Sequence, residues 1–410
     1  MKTELLRKYA ELTVKIGANV QKNQSVVVRA TTETKELVRL IVEEAYLAGA
    51  KYVYVQWSDD FVSRLSAIHQ TVETLENIPD WVVKQTEYFM EEGAAFISIT
   101  SPIPGLNKDV DPVKMQKAAI ASQKKLGFFQ TYLMGSGSQW TIVAYPNKYW
   151  AKKVFPDLDE SAAVETLWDA ILNASRVRSD NDPVEEWNQH NTTLLAHNKI
   201  LNDLEFESLH FTNRLGTDVV VKLVDEHIWA GGGEVSEKGT YFNPNIPTEE
   251  TFTMPSKFGT SGKVVATKPL NYQGKLIENF YVEFENGKVV RYGAEKEVEA
   301  LKSLIEFDEG SAYIGEIALI SHNSPISNSN ILFYNTLFDE NASCHMALGR
   351  AYTMNIKNGT KTPIEELIKK GYNNSMTHVD FMFGSSDMSV VGTRKNGEKV
   401  VVFEKGNFVI

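Results

Sequence analysis

The sequence predicts an α/β N-terminal domain with a mainly parallel sheet over residues 1–190, followed by an α+β C-terminal domain with antiparallel strands over 191–410. Three observations carry this expectation. The chain has 410 residues, more than one domain usually holds. Near its start a strand pattern, a helix pattern and a second strand pattern follow one another, the order of a βαβ unit with parallel strands. In its second half two strand pairs turn at Asn-Gly, the strongest short hairpin signal.

Taken in order, Leu5, Tyr9, Leu12 and Ile16 form one apolar stripe of an opening helix. SVVVRA, Ser25 to Ala30, reads as a buried strand, and Glu33 to Ala48 as a helix with Leu37, Leu40 and Ile41 on one face, stopped at Gly49. KYVYVQW (Lys51 to Trp57) and AAFISIT (Ala94 to Thr100) are further strands, with helices around Val113 to Leu126 and Ser161 to Leu172. The polar stretch Ser179 to Asn198 reads as the border between domains. Beyond it DVVVKLV, YVEFENGKVVRY and TRKNGEKVVVFEKG are strands, two of them turning at Asn286-Gly287 and Asn396-Gly397. One helix, Ala294 to Glu306, interrupts them.

Composition narrows the function. Hydrophobic residues at 42% and charged residues at 23% fit an ordinary globular protein. A formal net charge of −11 argues against nucleic acid and against an anionic membrane as partners. The single cysteine, Cys344, excludes an intramolecular disulfide and fits a reducing compartment. The N-terminal segment lacks the apolar core of a signal peptide, and no run reaches the ~18 apolar residues of a membrane span. A cytoplasmic location is the expectation. HExxH, GxSxG, Walker A and CxxC are absent, and GSGS (Gly135 to Ser138) and AGGGE (Ala230 to Glu234) read as loops.

The second half holds several polar anomalies. In NPNIPTEETFTMP, Glu249 and Glu250 follow two prolines, and a solvated turn is the ordinary reading. In IGEIALI, Ile314, Glu316, Ala318 and Ile320 share one strand face, which sets a carboxylate among apolar neighbours. Such a group takes a proton or finds a cation, either a Lys or Arg side chain or a metal. Asn341 suits the N-cap of a helix from Ala342, on which His345, Gly349 and Tyr352 would stack at i, i+4 and i+7. Gly349 would leave room for substrate or ion, and Glu340 sits just before the cap. Singly, His345 fits a hydrogen-bonded core histidine and Tyr352 fits packing. In THVDFMFG, strand alternation points His378 and Asp380 the same way. Together Glu250, Glu316, Glu340, His345, His378 and Asp380 suit two divalent ions of the Zn, Co or Mn type better than Ca or a thiolate zinc site. Spacing alone does not bring these segments together.

NIPTEETFT, GEIALI, PISNSNILFYNTLFDENASCHMALGRAY and HVDFMFGS resemble the aminopeptidase T and aminopeptidase S family of bacterial dinuclear metallo-aminopeptidases. IVEEAYLAGAKYVYVQWSDD, WAKKVFPDLDE and LWDAIL extend the resemblance over the first half in matching order. It implies a cytoplasmic homodimer that releases N-terminal amino acids from peptides, with two divalent metal ions in the C-terminal domain. Under it Glu250, Glu316, Glu340, His345, His378 and Asp380 are metal ligands, Glu316 bridging both ions, and Tyr352 is catalytic. Such a pair, roughly 3.5–4 Å apart, would hold a bridging hydroxide as the attacking group. One ion would bind the substrate's free α-amine and the other would polarise the scissile carbonyl. Tyr352 would donate to the oxyanion, and Glu249 or Glu250 would shuttle a proton to the leaving amine. Cys344 beside His345 and the ETFT context of Phe252 depart slightly from the family pattern.

The residue types also permit another two-metal hydrolase, a phosphoesterase or amidohydrolase, or a non-catalytic module braced by its ions. A cysteine hydrolase built on Cys344 and His345 fails, since adjacent helical residues point about 100° apart.

Overall fold

Strands are numbered here in chain order. β1 (Ser25–Thr31), β2 (Tyr52–Ser58), β3 (Ala95–Thr100) and β4 (Trp140–Ala144) form a wholly parallel sheet in the order β2-β1-β3-β4. The computed structural model describes residues 2–410. Val26, Val28 and Ile97 are fully buried because a parallel sheet is covered by helices on its faces. The helix Lys35–Leu47 buries Leu37, Val38, Ile41 and Ala45, and the chain turns off it at Gly49 with φ +95. The helix Pro112–Met134 begins where Asp111 Oδ1 accepts from the Val113 and Lys114 amides. These elements belong to a first compact unit, residues up to His190 together with Gly233–Pro247. Its last segment holds the short hairpin β7 (Glu234–Val235) and β8 (Tyr241–Phe242).

Most of the polar stretch 179–198 lies in one continuous helix, Pro183–Leu204, and the division between the two units falls within it, at His190 and Asn191. Trp187, Asn191, Leu194, Asn198 and Leu201 are its buried stripe. Two of those five positions are asparagine, which breaks the apolar periodicity that a sequence reading depends on.

The second unit comprises Asn191–Gly232 and Thr248–Ile410. Its larger sheet uses β5 (Phe206–Thr212), β6 (Asp218–Leu223), β10 (Pro255–Val265), β11 (Leu270–Tyr272), β12 (Lys275–Glu285), β13 (Lys288–Lys296), β17 (Ser389–Arg394), β18 (Lys399–Glu404) and β19 (Asn407–Phe408). The order is β11-β12-β10-β6-β5-β17-β18-β19, with β13 against β12 and every pairing antiparallel. The β12–β13 turn has Asn286 at φ +50 and Gly287 at φ +84, as an Asn-Gly hairpin requires. β13 runs on to Lys296, so the following helix is only Val298–Ile305, shorter than expected.

A smaller antiparallel sheet orders β16 (His378–Met382), β15 (His345–Gly349), β14 (Ile314–Leu319) and β9 (Thr251–Thr253). The helix expected from Ala342 is not there. Glu340–Ala342 is a single 3₁₀ turn, and His345–Gly349 is a strand buried on both faces. Pairing with β14 on one side and β16 on the other overrides the helix-compatible spacing. Gly349 serves backbone geometry rather than ligand room. It has φ +113, and a Cβ there would lie 2.1 Å from the Thr377 carbonyl oxygen.

Candidate metal centre

Strand register explains how distant residues meet. Glu316 on β14 opposes Ala347 on β15, which opposes Asp380 on β16. One row along, Phe252, Ala318, His345 and Met382 align across all four strands, and Gly349 opposes His378. Side chains two apart share a face, so Glu316, His345, His378 and Asp380 stand on the same side of the sheet, with only the Ala347 methyl between the carboxylates. Ile317, Leu319, Met346, Leu348 and Phe381 take the other side, inside the hydrophobic core. A bulge after Ile314 changes the phase of β14, so Ile314 joins that core instead of lining up with Glu316. Gly315 forms the bulge, where a Cβ would meet the Gly349 carbonyl oxygen at 2.3 Å.

The resulting contacts are close. His345 Nε2 lies 3.3 Å from Glu316 Oε1, 3.4 Å from Glu250 Oε2 and 4.0 Å from Asp380 Oδ1. His378 Nε2 lies 3.4 Å from Asp380 Oδ1 and 3.7 Å from Glu316 Oε2. Two groups of donor atoms result, Glu250–Glu316–His345 and Glu316–His378–Asp380, each with all its atoms within 4.8 Å of one another. Glu316 belongs to both, one oxygen toward each imidazole. Glu250 enters from the residue just before β9.

Glu340 lies outside both groups. It is half-buried on the 3₁₀ turn and lines a pocket together with Asp380. The ring of Tyr352 rests against His378 at 4.7 Å and against Phe252 at 6.2 Å, so the tyrosine borders the cluster from the loop after β15. Glu249 is buried, and its amide donates to Asn341 Oδ1 at 2.8 Å. Cys344 faces the core, where burial pushes its thiol up to about 11, far from a nucleophilic thiolate.

Electrostatics follow from burial against charge. Burial opposes the charged form of His378, but the neighbouring Asp380 carboxylate raises its imidazole to about 10. Burial likewise works against the Asp380 carboxylate, yet His378 holds it at about 2. Burial would lower His345, and its contacts with Glu250 and Glu316 raise it well above its ordinary value instead. Burial is the main cause that raises Glu316, partly offset by His345 and His378. Glu340 and Tyr352 are raised well above their ordinary values, by burial first and by surrounding carboxylates second.

A divalent cation fits these residues. Asp380 Oδ1 is buried and makes no hydrogen bond among the described residues. Carboxylate oxygen and imidazole nitrogen are the donor types that zinc, cobalt and manganese accept. Bonds of roughly 2.0–2.2 Å at tetrahedral angles put neighbouring donors about 3.4 Å apart. The nitrogen–oxygen separations of 3.3 and 3.4 Å match that spacing.

Two residues that orient the cluster carry no sequence signal because their contacts run through main-chain carbonyls. Arg350 offers its carbonyl to His378, and Asn373 Nδ2 ties together the Gly310, Tyr313 and Gly349 carbonyls.

A family model described as thermophilic metalloprotease (M29) matches residues 2–408. The chain belongs to this family. It is 47% identical over 408 residues to aminopeptidase AmpS of Bacillus subtilis (strain 168), covering 99% of this chain and 98% of the relative. It is 43% identical over 403 residues to aminopeptidase 2 of Geobacillus stearothermophilus, covering 98% and 97%. The solved structure of wild-type AmpT from Thermus thermophilus superposes with a TM-score of 0.92 at 35% identity, with both chains fully covered. Among the described residues no helix is long and apolar enough to cross a membrane.

Proposed function

We propose that the carboxylate and imidazole cluster on the smaller sheet of the second unit is the metal centre of an aminopeptidase that binds two divalent ions, zinc, cobalt or manganese. The protein is a metal-dependent aminopeptidase, a hydrolase whose substrates are peptides with free N-termini; membership of the M29 family and relatives named aminopeptidases across the whole chain support this. The observation that carries the two-ion reading is the position of Glu316, whose two oxygens face different imidazoles, 3.3 Å from His345 and 3.7 Å from His378.

In this reading Glu250 and His345 would hold one ion and His378 and Asp380 the other, with Glu316 available to both. Glu340 completes the set from its turn. Bound divalent ions supply Lewis acidity, lowering the pKa of water and polarising the scissile carbonyl. The chain's own residues do the rest. Tyr352, its ring braced against His378 and Phe252, donates its hydroxyl proton as a hydrogen bond to the oxygen that gains charge. Burial and the nearby carboxylates keep that hydroxyl protonated, which a donor requires. Glu249, the carboxylate of this pair that no ion takes in this reading, would carry the proton lost by the attacking water to the amine that departs when the peptide C–N bond breaks.

The family resemblance supports a homodimer, and the lone buried Cys344 and the −11 charge support a cytoplasmic protein that binds neither nucleic acid nor membrane. The deciding experiment is metal analysis of purified protein beside hydrolysis of leucyl- and arginyl-p-nitroanilide, with and without chelator. Two ions per chain and activity lost on chelation are expected. One ion or none at full activity overturns the two-ion centre, and cleavage of p-nitrophenyl phosphate instead of the aminoacyl reporters overturns the peptidase reading. Light scattering on an eluting column peak tests the dimer.

A further inference from the structure

An open pocket adjoins the cluster, sharing Asp380 with it and taking in Glu340 as well. Its apolar wall includes Pro269, Leu332, Tyr334 and Met382. Met382 lies two residues beyond Asp380 on β16, hence on the same sheet face as the cluster.

Tyr334 is held in an unusual way. Its φ of +54 is left-handed, an outlier for a bulky aromatic residue. Asp339 secures it from both sides, with Oδ1 accepting the Phe333 amide at 2.7 Å and Oδ2 accepting the Asn335 amide at 2.9 Å. Left-handed backbone at a bulky residue persists where surroundings over-determine it, and it concentrates at ligand clamps. Asp339 directly precedes Glu340, so the turn that brings Glu340 to the cluster also fixes the pocket wall.

We propose that this pocket receives the side chain of the substrate's N-terminal residue and selects medium or large apolar residues, with Tyr334 as a specificity-determining wall and Asp339 as its positioning residue. The inference rests on the cluster being the peptidase centre. A peptide held there by its α-amine and first carbonyl projects its first side chain beside the liganding carboxylates, and the space beside Asp380 and Glu340 is this pocket. Its apolar wall disfavours a charged occupant, which would lose its hydration. Three carboxylates also line the pocket; Asp380 and Glu340 are given to the ions in this reading, and both Asp339 oxygens accept backbone amides, so none is set out to receive a cationic side chain.

The test compares leucyl-, alanyl- and arginyl-p-nitroanilide on the metal-loaded enzyme. The wild type is expected to prefer leucyl, because filling an apolar pocket is worth about 10- to 200-fold in kcat/KM. Tyr334→Ala should cut the leucyl-to-alanyl ratio at least about tenfold, mostly through KM, with metal content retained. Leu332→Trp, which narrows the pocket, should cut the same ratio. Asp339→Ala should reproduce the Tyr334→Ala effect, and Asp339→Asn, which keeps one acceptor, should recover part of it. An unchanged ratio in Tyr334→Ala and Leu332→Trp, or a wild-type preference for arginyl, overturns the proposal while leaving the peptidase reading intact. A metal-loaded wild type inactive on all three reporters overturns the peptidase reading, and this inference with it.

Discussion

His378 donates its Nδ1 proton to the Arg350 carbonyl at 2.7 Å. A carbonyl only accepts, so this one contact fixes the tautomer of the neutral ring and directs the Nε2 lone pair at Glu316 and Asp380. Orientation by a carbonyl on the far nitrogen is the usual arrangement of a liganding histidine, and losing such a partner costs roughly 10- to 100-fold in metal affinity. His378→Ala removes the donor itself. The expected loss at one of the two ions is larger than that range, read by competition with a chromogenic chelator. Affinity equal to wild type would exclude His378 as a ligand.

Tyr352 touches the cluster through its ring, so Tyr352→Phe keeps the packing against His378 and Phe252 and deletes only the hydroxyl. Metal content and KM should hold while kcat falls about 100- to 1000-fold, the effect of losing one oxyanion donor. Steady-state kinetics beside metal analysis separates these quantities.

Ala347 sits between Glu316 and Asp380 in the strand register and is fully buried. Ala347→Leu fills the space between the two carboxylates. The variant should fold with an overpacking cost of about 1–3 kcal/mol and bind metal poorly, as isothermal titration would show. Full occupancy by both ions would mean that the ions lie elsewhere.

Gly349→Ala tests the backbone. The residue must keep φ +113 with its new Cβ 2.1 Å from the Thr377 carbonyl oxygen, so β15 and β16 must part. Left-handed strain of this kind costs about 1–3 kcal/mol before the clash is counted. A lowered urea midpoint together with weaker metal binding is expected.

The metal-free protein should respond to pH through His378, whose pKa rises from 6.5 to about 10 on folding; burial opposes that rise and Asp380 outweighs it. At neutral pH the ring holds a proton that an incoming ion displaces. Calorimetry in buffers of different ionisation enthalpy should therefore register proton release on binding, with affinity rising toward pH 10. The same pairing stabilises the metal-free fold fully below pH 6.5, and that stability is lost as the pH passes through about 10. Its Tm should fall across this window. A flat Tm between those limits would remove His378 from the linkage.

Local signals were legible where one physical rule dominated. The valines of β1 and the Asn286-Gly287 turn announced their structures, as did the alternation that sets His378 and Asp380 on one face. Competing rules hid the rest. His345, Gly349 and Tyr352 fit a helix by spacing, and only pairing with strands about 30 residues away on each side makes the segment β. Nothing local reveals that Gly315 bulges, since the cause is the approach of Gly349 across the ladder. Residue types limited the chemistry of the cluster, whereas its assembly depended on the register among β9, β14, β15 and β16.

The sheet beneath the cluster has no slack of its own. Along β14, β15 and β16 the liganding side chains alternate with residues packed into the core, so a shift by one position would turn the acids into that core and the aliphatics onto the cluster face. Cation release and melting should therefore coincide in a single calorimetric peak. Retuning the protein toward a different ion would have to proceed by exchanging side chains in place, with every strand left where it lies.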